Sequence, residues 1–494
     1  MSPAPAALLW SPSLFGVVFF FALGATVGSF LNVVVYRVPK GLGIVLPASA
    51  CPACGTTLTW RENLPIIGWL LLRGRCRFCR SRISPEYPLV ETLVAVLFGG
   101  LYALWYLDAG LVRSMGIDPR AIRPEWASAG LARTWPMFVM TLFLIGSLVA
   151  VTLIDAKTFL IPLSIPWLAG GVGLAGHPLF AWWAQGHGGI RSHYEWTIWT
   201  FDGWGATGLA AGAAVGLAIA IVLLRAGVIS RSFADYEAWE RDAEERAQAA
   251  QASSAAQDAA APGEKPNEGS LAVRLLLLTG PALALMALGF TIGVRAGWPM
   301  RGMLGGMGVG LMIGVILRAR APGGPSSADP VWVRYPHARR EMLREIVFLA
   351  PSIALGALGF YLARDISGEP ALWIKALSGS LIGMFVGGGI VWAVRILGSL
   401  AFGKEAMGLG DVHLMASVGA VLGWTDPAIA FFLAPFFGIA WTVGAALVRR
   451  SKDAGGTALP YGPHLAAATL LVIYARPMIE RGLSILFAHP ITLP

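Results

Sequence analysis

Long apolar runs recur along this chain, and they leave it few ways to fold. A run of about 20 residues with few charges crosses the hydrocarbon of a bilayer as an α-helix, because lipid offers backbone amides no partners. Apolar runs lie at about 14–36, 89–107, 137–154, 161–182, 204–224, 271–294, 302–317, 346–362, 372–397, 412–422, 428–448 and 465–474. They predict an all-α polytopic transmembrane bundle of about 12 spans. Composition agrees: 56% of the 494 residues are hydrophobic and only 13% are charged, against about 25% charged in soluble domains. The net charge of +9 is therefore a topology signal. The partner it points to is the lipid bilayer, and no nucleic acid is expected.

The charges orient the chain. No basic residue precedes the first run, whereas Arg37 and Lys40 follow it, the reverse of a secretory signal. Between residues 37 and 88 stand Arg37, Lys40, Arg61, Arg73, Arg75, Arg77, Arg80 and Arg82 against Glu62 and Glu86. The positive-inside rule puts this segment in the cytoplasm and the N-terminus outside. Counting spans onward, Asp155 ends an inward-going helix and Asp411 begins an outward-going one. Both then fall at the cytoplasmic face.

An acid beside hydrocarbon is costly and marks a functional site. Asp411 sits in Lys404-Glu405-Ala406-Met407-Gly408-Leu409-Gly410-Asp411-Val412-His413, and Asp155 closes the run Val149-Ala150-Val151-Thr152-Leu153-Ile154-Asp155. Two carboxyls brought together cannot both ionise and share a proton. That is the arrangement an aspartyl protease uses, one group activating water and the other polarising the carbonyl. Gly408 and Gly410 let the backbone turn sharply and let a substrate chain approach.

All four cysteines fall within one loop, as Cys51-Pro52-Ala53-Cys54 and Cys76-Arg77-Phe78-Cys79. In a reducing cytoplasm, two CxxC pairs at this spacing predict a four-thiolate zinc site. Four thiolates leave no open position, so the zinc is structural. No HExxH is present, which argues against a zinc metalloprotease. His177, His187, His193, His337 and His489 lie in loops or at run ends and are expected to be solvated. His413 and His464 are close enough to the acidic and Pro-Tyr-Gly-Pro motifs to be candidates for lining the site.

Five regions follow: a first span (14–36), a cytoplasmic four-cysteine region (37–88), a first membrane core with Asp155 (89–184), a middle stretch of about four spans with a charged loop at 230–270 (185–371), and a second core with Asp411 (372–494). Glycines at four-residue steps, Gly208-Gly212-Gly216, Gly302-Gly306-Gly310 and Gly379-Gly383-Gly387, predict close helix packing.

Several stretches together resemble the bacterial prepilin peptidases, or type IV leader peptidases, which are GxGD membrane aspartyl proteases. They include Gly28-Ser29-Phe30-Leu31-Asn32, Cys51-Pro52-Ala53-Cys54-Gly55, Glu62-Asn63-Leu64-Pro65 and Ser84-Pro85-Glu86-Tyr87-Pro88-Leu89-Val90-Glu91. Asp155-Ala156-Lys157-Thr158, Met407-Gly408-Leu409-Gly410-Asp411 and Leu459-Pro460-Tyr461-Gly462-Pro463 complete the set. The resemblance implies an inner-membrane enzyme that cuts the basic leader from type IV prepilins and pseudopilins, serving pili or type II secretion. Asp155 and Asp411 would be its catalytic pair. Many members also N-methylate the new N-terminus with S-adenosylmethionine, an activity associated with the cysteine-bearing region; Glu91, just past it, is a candidate for that activity or a helix-start acid. Two departures stand out: the 185–371 insertion, and His413 where the family commonly has Lys. Read from the residues alone, two alternatives stay open: a transporter using the acids as a proton relay, and an inactive zinc-bearing scaffold.

Overall fold

The computed structural model describes residues 12–186, 201–257, 335–402, 405–448 and 460–490, with isolated residues at 196, 198, 284–285, 287–288 and 493. The described residues form helices and no strand beyond single bridges. They are α1 (Pro12–Arg37), α2 (Ile67–Leu71), α3 (Glu86–Tyr106), α4 (Ala109–Ser114), α5 (Leu131–Thr158), α6 (Ser164–Gly186) and α7 (Trp204–Arg225). After these come α8 (Tyr236–Gln257), α9 (Ala338–Ala363), α10 (Leu372–Phe402), α11 (Leu409–Leu422), α12 (Thr425–Val448) and α13 (Gly462–Phe487).

Seven of these helices, α1, α3, α5, α7, α9, α10 and α12, are long and apolar enough to cross a membrane. The expected count was about twelve. The runs expected at 271–294 and 302–317 lie outside the described residues, apart from the fragments at 284–285 and 287–288. The run expected at 412–422 forms α11, which is apolar but has only 14 residues.

Helix α5 is the axis of the bundle. Leu144, Ile145, Leu148 and Val151 on it are fully buried. It packs against α1, α3, α6, α11 and α13, so its C-terminal turn is delivered to the place where α11 and α13 begin. Phe159 closes it in a left-handed conformation, its N–H bonding back to the Asp155 carbonyl. The following segment then turns into α6.

Glycine decides how close the helices come. In lipid, association rests on packing rather than on a hydrophobic drive, so small residues at crossings matter most. A Cβ on Gly24 would lie 2.6 Å from the Val94 carbonyl oxygen, and one on Gly28 would lie 2.7 Å from the Glu91 Cα. These two positions let α1 rest directly on α3. Gly208, Gly212 and Gly216 of α7 do the same on α9, against the carbonyls of Gly359, Leu355 and Pro351. Gly383 and Gly387 of α10 press on Gly419 and Met415 of α11. Two of the three glycine series thus lie at backbone crossings, while Gly302-Gly306-Gly310 falls outside the described residues.

The α10–α11 crossing gives a direct test in one helix. A Cβ on Gly383 would fall on the Gly419 backbone, whereas one on Gly389 would meet nothing within 4 Å. Thermal unfolding in detergent should find Gly383→Ala less stable by about 1–3 kcal/mol, the usual cost of overpacking. Gly389→Ala should be neutral or more stable, because alanine is the better helix former. Equal behaviour of the two variants would contradict this packing.

Candidate active site

Asp155 lies in the last turn of α5 and Asp411 in the first turn of α11. They are separated by 256 positions, yet both are almost fully buried, at 5% and 6% exposure. They lie close enough for the charge of one to act on the other. The Gly408 backbone hydrogen-bonds the Asp411 carboxyl, and the Gly462 backbone hydrogen-bonds that of Asp155. An amide bond to a carboxylate is charge-assisted and stronger than a neutral one.

Three glycines make room for the pair. A Cβ on Gly462 would lie 2.6 Å from Asp155 Oδ2 and 3.1 Å from Ile161 Cδ1. One on Gly410 would lie 2.8 Å from Ile161 Cβ, and one on Gly408 would lie 3.3 Å from Asp411 Oδ2. Ile161 is therefore packed against the first turns of α11 and α13, and a side chain at 410 or 462 would collide with it or with Asp155. The sequence reading included Gly462 in a motif but gave it no role at the site. Tyr461, beside it, lies near enough to feel the charge of Asp411. Lys157, two residues past Asp155, forms an ion pair with Glu86 at the start of α3, which ties α5 to the end of the cysteine-bearing loop.

The histidines sort differently from expectation. His413 turns back on its own helix, its Nδ1 2.8 Å from the Leu409 carbonyl, with its ring 5.5 Å from that of Trp167. His464 has a buried Nε2 with no partner. His177, expected to be solvated, is fully buried. Its Nε2 lies 2.9 Å from the Val421 carbonyl, and its Nδ1 accepts from Trp196 Nε1 at 3.2 Å. Trp196 is distant from any apolar run, so linear sequence hid this partner. His337 and His489 are exposed, and His187, His193 and Lys404 lie outside the described residues.

The largest omission of the sequence reading is Arg395. It lies in α10 at 2% exposure and is paired with Glu345 of α9 and Glu405 of the loop before α11. A charged residue near the end of an apolar run was the available signal.

The four cysteines form one cluster. Their Sγ atoms all lie within 4.8 Å of one another, with Cys51 and Cys76 buried and Cys54 and Cys79 exposed. A tetrahedron with Zn–S bonds of about 2.3 Å places its sulfurs about 3.8 Å apart, and Cys51 Sγ lies 3.8 Å from Cys79 Sγ. The two halves are built alike. Cys51 N–H bonds the Thr56 carbonyl while Gly55 N–H bonds that of Cys51, and Cys76 with Ser81 and Arg80 repeats both bonds. Gly55 has φ +70° and Arg80, at the equivalent position, has φ +61°. The knuckle amides of Cys54 and Ala53, together with the Ser81 hydroxyl, hold the Cys51 thiol down to about 6. The Ser81 hydroxyl and backbone likewise lower Cys79. Burial and the neighbouring Cys51 and Cys79 thiols push Cys76 the other way, and the four-sulfur donor set fits a metal of the zinc type.

Glu91 sits in the second turn of α3, 8% exposed. Its Oε2 accepts the Ile66 amide at 2.6 Å, and Ser29 of α1 also hydrogen-bonds it. Ile66 is held at φ +62°, a costly conformation for a β-branched residue. Glu91 is thereby a brace joining α1, the cysteine loop and α3. Nothing in this arrangement singles out a seat for S-adenosylmethionine, and no methyl-transfer step is assigned to Glu91.

Comparison with known proteins places these features. Residues 22–105 match the Bacterial Peptidase A24 N-terminal domain, and residues 346–443 match the Type IV leader peptidase family. The second match begins at 346, inside the stretch read from sequence as insertion. Asp411 lies within it, whereas Asp155 lies outside both matches. A "Prepilin leader peptidase/N-methyltransferase" of Myxococcus xanthus is 40% identical over 169 residues, covering 33% of this chain and 42% of the relative. The protein of the same name from Klebsiella pneumoniae is 44% identical over 93 residues, covering 18% and 40%. That from Aeromonas hydrophila is 34% identical over 185 residues, covering 32% and 53%. The matched stretches thus span about half or less of these relatives. No solved structure matches. The two domains occur in order, with the Gly408–Asp411 motif inside the second, so residues 22–105 and 346–443 are each similar to a domain of the leader peptidases.

Proposed function

We propose that the chain is a membrane aspartyl endopeptidase that removes the leader from type IV prepilins or pseudopilins at the cytoplasmic face of the inner membrane. The observation that carries this reading is the meeting of Asp155 and Asp411, two buried acids on different helices. Asp411 lies within the stretch that matches the Type IV leader peptidase family, and that likeness supports the substrate class.

The chemistry follows from sharing one proton between two carboxyls. The ionised carboxylate takes a proton from water, whose oxygen attacks the carbonyl carbon of the leader bond. The protonated partner donates to the carbonyl oxygen. The tetrahedral intermediate then collapses, its C–N bond breaks, and the amine leaves with a proton from the pair. The products are a leader with a new carboxylate and a mature chain with a new amino group. The glycines at 408, 410 and 462 leave the approach to both acids narrow in side chains, which an extended peptide needs.

Zinc held by Cys51, Cys54, Cys76 and Cys79 staples the cytoplasmic loop. The relatives' names add N-methyltransferase, and we extend that activity to this chain with S-adenosylmethionine as methyl donor. The support is the match of residues 22–105 to the family's N-terminal domain.

Mass spectrometry of a co-expressed prepilin should find the leader removed by the wild type. Asp155→Ala or Asp411→Ala should each lower cleavage by roughly 10²–10⁴-fold, the usual worth of a positioned acid or base. Full cleavage by either variant would end this assignment, as would transport activity without cleavage. Elemental analysis of purified protein should find about one zinc per chain. Cys76→Ser should lower that content and the melting temperature together. Unchanged stability after complete metal removal would contradict a stapling role.

A further inference from the structure

We propose that Arg395 is the positioning residue of the Gly408–Asp411 turn, and that the segment following α7 closes over it through Phe233. This rests on the peptidase reading above and goes beyond it by naming what holds the second aspartate in place.

Arg395 lies near the end of the apolar run that forms α10, twenty residues past Lys375, the other basic residue of that helix. Burying a guanidinium costs several kcal/mol unless every donor finds an acceptor. Here each of the three nitrogens has an acceptor. Nε lies 3.1 Å from each Glu345 oxygen and Nη2 lies 3.0 Å from Glu345 Oε1. Nη1 donates to Glu405 Oε1 and to the Met407 carbonyl. Glu345 is fixed in turn by Trp392 Nε1 at 2.7 Å.

The targets of Nη1 give the contact its meaning. Met407 immediately precedes Gly408, whose carbonyl accepts the Asp411 amide at 3.2 Å. The segment 405–408 has no helix of its own. Besides Arg395, the hydrogen bond recorded to it from α10 is Ala406 N–H to Ser399 Oγ at 3.0 Å. A planar, five-donor group can bind a carboxylate and a carbonyl at once in fixed geometry, which an ammonium cannot. The start of α11, and with it Asp411, is therefore set by Arg395.

The other face of the guanidinium is covered from the cytoplasmic side. Its Cζ lies 5.2 Å from the centroid of the Phe233 ring, within cation–π range. Phe233 is itself tied down. Its N–H donates to Glu341 Oε2 at 2.8 Å, and its ring packs against Tyr335 at 5.5 Å. It adopts φ +55°, a conformation that a bulky residue keeps only when its surroundings impose it. Asp235, held ionised first by the Tyr335 hydroxyl and further by Arg340, locks the same segment onto the first turn of α9. The stretch beginning the charged loop is thus joined to the catalytic turn through one side chain.

The test uses the full-length protein in detergent with a prepilin peptide, alongside wild type and Asp411→Ala. Arg395→Lys keeps a charge but loses the fork, and should lower kcat about 10–100-fold with KM within about threefold, the scale of a misplaced reacting group. Glu405→Gln should lower kcat in the same direction by a smaller factor. Phe233→Ala should lower kcat by roughly fivefold, and adding it to Arg395→Lys should lower kcat no further, since Phe233 acts through Arg395. If Arg395→Lys fails to fold, Glu405→Gln, Phe233→Ala and their combination carry the same comparison. Wild-type kcat in these variants, a change confined to KM, or additive losses would overturn the inference. Should wild type cleave and Asp411→Ala not, those results sink this inference alone. If wild type itself cuts no prepilin, the peptidase reading falls with it.

Discussion

Two carboxyl groups can meet at adjoining helix ends only if the backbones around them come closer than side chains allow. Ile161 is the gauge of that approach. The places where Gly410 and Gly462 would carry a Cβ are already filled by Ile161 and by Asp155 itself. One end of the gauge is set by α5, the axis of the bundle, and the other by α11 and α13. Each acid then draws an amide from the neighbouring turn, so the pair is oriented by backbone as well as by packing.

The same economy of side chains builds the bundle around the site. Helices α1 and α3, α7 and α9, and α10 and α11 all cross on glycine. The α10–α11 crossing matters most for chemistry. Helix α10 supplies both the glycines that seat α11 and the arginine that fixes its first turn. Helix α9 holds Glu345 against that arginine, so the region between Asp155 and Asp411 in sequence is physically continuous with the site. The family match beginning at residue 346 fits that continuity.

Much of this was legible in the residues, for reasons that can be named. Asp155 and Asp411 stood out because acids beside apolar runs are rare, and counting spans put them on one face. The CxxC pairs stood out because their spacing has few other uses, and the sulfurs do cluster. Arg395 was missed because it ends a run that reads as hydrocarbon, and its partners lie 50 residues upstream and 10 downstream. His177 was misjudged because its partners, Val421 and Trp196, come from elements that the sequence does not align with it. Gly462 was seen as part of a turn, yet its task depends on a carboxylate more than three hundred positions away.

The nearness of Asp155 and Asp411 is the claim on which the chemistry stands. It is tested most directly by cross-linking an Asp155→Cys/Asp411→Cys chain in native membranes with a short bifunctional thiol reagent. A protease site placed between the two positions lets a gel separate linked from unlinked halves. The account predicts rapid linking by a two-carbon spacer, and slower linking when either cysteine is moved one turn along its helix. Halves that separate after treatment, or that link equally well from displaced positions, would contradict it.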